Sequence, residues 1–195
     1  VAPAIAVPHY PLVAEQLSAQ QQNSQFEKIE KIIAEFVEEY SGGLVFDGQL
    51  ESLLDRSIDP YIHGNLSPET MTRVYYLMRK TAPVNSMDRF IELHQHFLAY
   101  RRAVEMYTLD NQTPVTAQQD LIRQEEIIKL RTTYLGEEVT ESFYGEQQRL
   151  TRYWLKRRIV EIDKELSEQE KERALHALQL LFKHQVTKKH SESLP

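Results

Sequence analysis

The sequence predicts an all-α protein, a small helical bundle followed by an extended arm of long helices. Three observations carry this expectation. Glycine is scarce, six in 195 residues, against an average usage of about 7%. Apolar residues recur at spacings of three and four, and no run alternates with period two between turn signals. Helix-capping signals stand at the heads of successive segments. The chain has no cysteine, which excludes a disulfide scaffold, a cysteine zinc site and a thiol nucleophile. With 41% hydrophobic residues it has the material for a core. No apolar run approaches the roughly 20 residues needed to cross a bilayer. The net charge of −6 disfavours nucleic acid as a partner.

Residues 1–23 read as a Pro/Ala/Gln-rich linker or tail. No basic segment opens it and its prolines interrupt any apolar stretch, so it does not resemble a signal peptide. A bundle is expected over residues 24–108. Ser24 and Glu27 fit a capping box ahead of a stripe of Phe26, Ile29, Ile33, Phe36 and Val37, closed by Gly42-Gly43. Asp47 caps a second helix with Leu50, Leu53, Leu54 and Ile58 inside, broken at Pro60 and His63-Gly64-Asn65. Ser67-Pro68 opens a third, carrying Met71, Val74, Tyr75 and Met78, which Pro83 stops. Asn85 or Ser86 caps a fourth, with Met87, Phe90, Ile91, Phe97, Leu98 and Val104.

Residues 109–189 are expected to form the arm, and 190–195 a disordered tail. Thr116 and Gln119 offer a capping box for a helix with a thin stripe of Leu121, Ile122, Ile128 and Leu130. Gly136 and Gly145 bracket a short helix containing Val139 and Phe143. A charged helix with Leu155, Ile159, Ile162 and Leu166 follows, then a last helix opened by Ser167 and Glu170, with Leu175, Leu178, Leu181 and Phe182 on one face.

Few residues invite chemistry. Glu92 and His96 share a helical face as metal ligands would, but His94 points elsewhere, so the pattern favours a surface Glu–His pair. His94 and Arg101 both fall on the side of the fourth helix that carries Phe90, Phe97 and Val104, where a cation needs a partner; for Arg101 two readings stand. It either snorkels past the bundle end or anchors to a carboxylate, for which Asp55 and Asp59 are the candidates. Lys156-Arg157-Arg158 is the densest basic run, yet Glu161, Asp163 and Glu165 follow at once, as on a solvated helix. Tyr153-Trp154 serves equally as a binding anchor or as helix packing. No triad or phosphate loop occurs, and no enzyme is expected.

The run Tyr134-Leu135-Gly136-Glu137-Glu138-Val139-Thr140-Glu141-Ser142-Phe143-Tyr144-Gly145-Glu146 resembles the lipase-specific foldases, or lipase chaperones. Arg152-Tyr153, Leu166 to Lys171 and Ala174 to Leu178 are similar to that family's following helices, and Phe97 to Ala103 is similar to its "YLAYRRA" helix end. The resemblance implies an all-helical steric chaperone, periplasmic and tethered to the inner membrane in the full-length protein. It implies a secreted lipase or similar client as partner, no cofactor and no catalysis. It also implies client-binding roles for Leu54, Asp55, Arg56 and Asp59 on the second helix; Arg101, by its position, and Tyr153 and Trp154, as aromatic anchors, are the further candidates for partner binding. The chain departs from the family's activation motif, RxxFDYxLSxxGE: Glu51 stands for its arginine, Leu54 for phenylalanine and Arg56 for tyrosine, while Asp55 is kept. Restoring those three residues is expected to strengthen lipase activation. The alternative readings are a helical adaptor or scaffold without chaperone action, and an enzyme with a pocket lined by Glu92, His94 or His96.

Overall fold

The computed structural model describes residues 19–40, 43–63, 68–81 and 84–192. Six helices and no strand occur among them: α1 (Ala19–Glu39), α2 (Gly48–His63), α3 (Pro68–Thr81), α4 (Val84–Asp110), α5 (Ala117–Ile162) and α6 (Glu168–Glu192). The protein is all-α, as its patterning predicts.

Helices α1 to α4 form the bundle, α1 lying against α2 and α3, and both of those against α4. The apolar stripes explain this arrangement. Ile29, Ile33 and Phe36 of α1, Leu50, Leu53, Leu54 and Ile58 of α2, Val74 and Met78 of α3, and Met87, Phe90 and Phe97 of α4 are all buried in one cluster. Phe36 stacks on Phe90 with ring centroids 3.8 Å apart. Each such side chain contributes roughly 1.5–3 kcal/mol on burial. Asp47 caps α2 by accepting from the Leu50 N–H at 2.8 Å. It also accepts from the Tyr40 hydroxyl at 2.9 Å, tying the end of α1 to the start of α2.

Several element boundaries differ from the sequence expectation. α1 begins at Ala19, so Ser24 lies within it and not at its cap. α2 continues through Pro60 to His63, and α4 begins at Val84, ahead of Asn85 and Ser86. Residues 1–18 of the expected linker, Gly42, Gly64, Asn65, Ser67, Pro83 and residues 193–195 lie outside the described residues. The caps of α5 and α6 are as expected. Thr116 and Gln119 form a reciprocal box, and the Ser167 N–H and hydroxyl donate to Glu170 at 2.8 and 2.6 Å.

The largest departure is inside α5. Gly136 sits at φ 79° and ψ 166°, a backbone region that L side chains rarely adopt. It does not merely open a short helix; the chain reverses there. Arg152 Nε donates to Glu125 Oε1 at 2.7 Å, although a straight helix would hold residues 27 apart about 40 Å from each other. Residues 117–135 (α5a) and 137–162 (α5b) therefore form an antiparallel hairpin. Gly145 ends no helix. It lies buried within α5b, where a Cβ would meet the flexible Glu141 carboxylate. The antiparallel order continues on both sides. Arg131 reaches Tyr100 across the α4–α5a turn, and Tyr153 stacks on Phe182 across the α5b–α6 turn.

Burial falls along this series. Leu135, Val139 and Tyr144 join the bundle's core. Gln148 is the last buried residue among those described, and its Nε2 has no hydrogen-bond partner there.

His94 is fully buried between α2, α3 and α4. Its Nδ1 lies 3.3 Å from the Tyr75 hydroxyl, and it hydrogen-bonds the Ser57 backbone. Burial pushes its pKa down to about 4. Gly136→Ala strains the reversal and is expected to cost about 1–3 kcal/mol in urea unfolding, with a longer particle in solution scattering. The folded chain keeps His94 neutral below the ordinary His pKa of about 6.5, whereas the unfolded chain binds the proton. Stability is then full above that pH and falls as the pH drops toward 4, by about 3 kcal/mol in all. Urea midpoints measured across this range check it; the slope is expected to flatten in His94→Gln.

Candidate functional site

The residues singled out by sequence fall into two places, α2 with the α4 residue that meets it, and the middle of α5b. On α2, Leu54 is completely buried in the bundle core and presents no surface. Asp55 meets Arg101 of α4 at 3.4 Å, both side chains nearly half exposed. Arg101 thus finds one of its two expected carboxylates, but in a solvated pair and not a buried anchor. Such pairs contribute about 0–1 kcal/mol. Arg56 is exposed and donates to Glu35 of α1 at 2.8 Å. The side chain of Asp59 lies outside the described residues.

Glu51 has a position that the sequence did not foreshadow. The Tyr144 hydroxyl on α5b donates to its Oε1 at 3.1 Å. The Arg131 guanidinium lies 4.1 Å from the centre of the Tyr144 ring, and its Nε donates to the Tyr100 hydroxyl at 2.8 Å. Nearby, the Ser142 hydroxyl donates to the Phe46 carbonyl at 2.6 Å. These contacts join α2, α4, α5a and α5b at one point. Burial and the neighbouring Glu51 carboxylate push the Tyr144 phenol well above its ordinary range, so it remains a donor. The clue available beforehand was Tyr144 near the end of the resembling run; its partner across 93 residues had no local signal.

This geometry bears on the three expected restorations. Glu51→Arg removes the acceptor of Tyr144 and sets a second cation near Arg131. Leu54→Phe enlarges a side chain with no exposed surface, and such overpacking costs typically about 1–3 kcal/mol. Those two substitutions therefore act on the fold as well as on any client contact, whereas Arg56→Tyr changes an exposed side chain.

On α5b, Arg152 forms a two-point ion pair with Glu125, whose carboxyl the guanidinium holds below the usual range. Tyr153 faces α6 and stacks on Phe182 at 4.7 Å. Trp154 points outward, 54% exposed, with the Arg157 guanidinium 5.6 Å from its ring. The two adjacent aromatics thus divide the two roles between them, packing for Tyr153 and exposure for Trp154.

The Glu92, His94 and His96 cluster does not converge: His94 is buried while Glu92 is exposed. No group of three or more metal-ligating side chains occurs among the described residues. A recess of about 240 Å³ lies at the α4–α5 turn, lined by Tyr107, Pro114, Val115, Ile122 and Arg123 among others, and includes none of that cluster. No helix among the described residues is long and apolar enough to cross a membrane.

Residues 93–194 match the family described as proteobacterial lipase chaperone protein. That span is more than half of the chain and takes in most of α4 with all of α5 and α6; the chain belongs to the lipase chaperone family. α2 and its compared motif lie before the matched span. No curated protein and no solved structure matches the chain.

The four-helix joint can be tested directly. Tyr144→Phe and Arg131→Gln are each expected to cost about 1 kcal/mol in urea unfolding. The double variant should lose less than their sum, with a coupling of at least about 0.5 kcal/mol; strict additivity would show that the two contacts act separately.

Proposed function

We propose that the chain is a steric folding chaperone, whose arm of α5 and α6 clasps a secreted lipase and promotes its active fold without catalysis or a cofactor. In this reading the full-length protein works in the periplasm, tethered to the inner membrane. The observation that carries it is the burial profile. Across residues 149–185 no residue is buried, yet Leu150, Trp154, Ile162, Leu180 and Leu181 are large, apolar and 43–63% exposed. A helical hairpin with so little core gains stability from a partner. Membership of the lipase chaperone family supports a lipase as that partner. Asp55 and Arg101, accessible at the bundle end, and Trp154 are the side chains proposed to touch the client; Leu54 and Tyr153 hold the surfaces in place.

A second reading, a helical adaptor that binds a client without activating it, draws on α2. There Leu54 is buried and Glu51 is engaged within the chain, which leaves Asp55 and Arg56 as the compared positions that face outward. One experiment separates the two. A secreted proteobacterial lipase is unfolded in urea and diluted with and without the chain. Recovered hydrolytic activity is expected to rise severalfold with the chain present. Binding without a rise supports the adaptor. Trp154→Ala is expected to weaken client binding by about 1–2 kcal/mol while leaving the chain's own urea midpoint unchanged.

A further inference from the structure

Gly136 is the one residue inside the 46 residues of α5 whose backbone is not helical. Helix runs up to Leu135 and resumes at Glu137. Rotation at a single residue therefore separates the reversed hairpin from one straight helix of roughly 70 Å. The seam that the reversal closes is largely polar. Thr140, Tyr144, Gln148 and Arg152 recur every four residues, on one face of α5b. Tyr144 meets the Arg131 guanidinium of α5a, 4.1 Å from its ring centre, and Arg152 holds Glu125 at two points. Thr140 Oγ1 and Gln148 Nε2 are buried without a hydrogen-bond partner among the described residues. Unpaired buried polar atoms oppose the closed state, and parting the helices returns them to water. Val139 and Tyr144 pull the other way, since both are buried with the bundle's apolar core.

We infer that α5b exchanges between two copies of this chain, with Gly136 as the hinge. In the exchanged pair each α5 runs straight and lays its α5b on the α5a, α2 and α4 of the other copy. α6 travels with α5b, to which the Tyr153–Phe182 stack ties it. The contacts across the seam re-form, because a second copy offers the same Glu125, Arg131, Tyr100 and Glu51 in the same order. This is what selects the occupant. An α5b that swung out alone would leave Val139 and Tyr144 in water, and the surface that matches both them and the polar stripe is the one this chain itself carries. The exchange is reciprocal and closed, so association stops at two copies. The inference goes beyond the chaperone reading and does not rest on it.

Charge reversal in separate chains tests the exchange. Glu125→Arg in one chain and Arg152→Glu in another each set like charges across their own hairpin. In an exchanged pair made of one of each, the native Arg152 meets the native Glu125, and the two introduced charges meet each other. The two full chains are unfolded in urea, mixed, diluted together and read by native mass spectrometry. The heterodimer is expected to exceed either homodimer about fivefold, and the excess to shrink as salt rises. Gly136→Ala is the second test. A Cβ at this position meets open space, so the substitution acts on the backbone: it disfavours the positive φ and suits a straight helix. The dimer fraction on refolding is expected to rise about tenfold. The dimer should persist on dilution, since parting the copies requires α5b to leave its seat. A mixture of the charge variants with no excess of heterodimer overturns the exchange. So does a Gly136→Ala chain that lengthens in solution scattering while remaining a monomer, which would assign the hinge to opening within one chain. A dimer fraction indifferent to Gly136→Ala overturns the hinge. Lipase refolding is scored on separate samples; no gain in lipase activity would remove the chaperone reading and leave the exchange standing.

Discussion

Everything beyond the bundle depends on one reversal and the contact that holds it. Gly136 turns the chain at a positive φ, and Arg131, Tyr100, Tyr144 and Glu51 meet around the turn. Without the reversal, α5 would run straight away from the bundle, and Leu135, Val139 and Tyr144 could not all enter its core. The joint combines a cation over an aromatic face, a phenol donating to a carboxylate and a guanidinium donating to a second phenol. Each is modest alone, but they share partners and surround a partly buried site, where such groups reinforce one another. The arm is anchored here and becomes progressively less buried with distance along α5b.

That gradient gives the molecule two kinds of helix. α1 to α4 are stabilised by a common apolar core to which every helix contributes. α5b beyond Gln148 and α6 rely on caps, the Tyr153–Phe182 stack and ion pairs along their surfaces. The Glu125–Arg152 pair is the main polar link between the two arms of the α5 hairpin. Since Arg152 lowers the Glu125 pKa, the link contributes most above the ordinary carboxylate range and is lost as acid protonates Glu125. Protonation of His94 opposes folding in the same direction of pH. Acid therefore loosens the bundle and the arm together, through separate groups.

The helices were legible in the sequence because their evidence is local. The α2 stripe of Leu50, Leu53, Leu54 and Ile58 is buried to the last residue, and the Thr116–Gln119 and Ser167–Glu170 boxes form as their spacing requires. Gly136 was visible as a break, but a glycine does not state the angle it will adopt, so a reversal could not be told from an ordinary helix end. The tie from Glu51 to Tyr144 spans 93 residues and follows from that angle, which leaves no periodic trace. His94 could be placed on the apolar side of its helix by spacing alone, but its partners lie on two other helices and left no local signal. Of the site residues, Tyr153 and Trp154 could be named as a pair. Which of them faced α6 depended on where Phe182 came to rest.

The consecutive stacking of α4, α5a, α5b and α6 has a mechanical corollary. Each helix leans on its immediate predecessor in the chain, so the arm has few long loops to close and no threaded segment to release. α6 can peel away by parting from α5b alone, with the bundle's shared core left in place. Helices stacked in this order separate one layer at a time, and losing one layer leaves those before it folded.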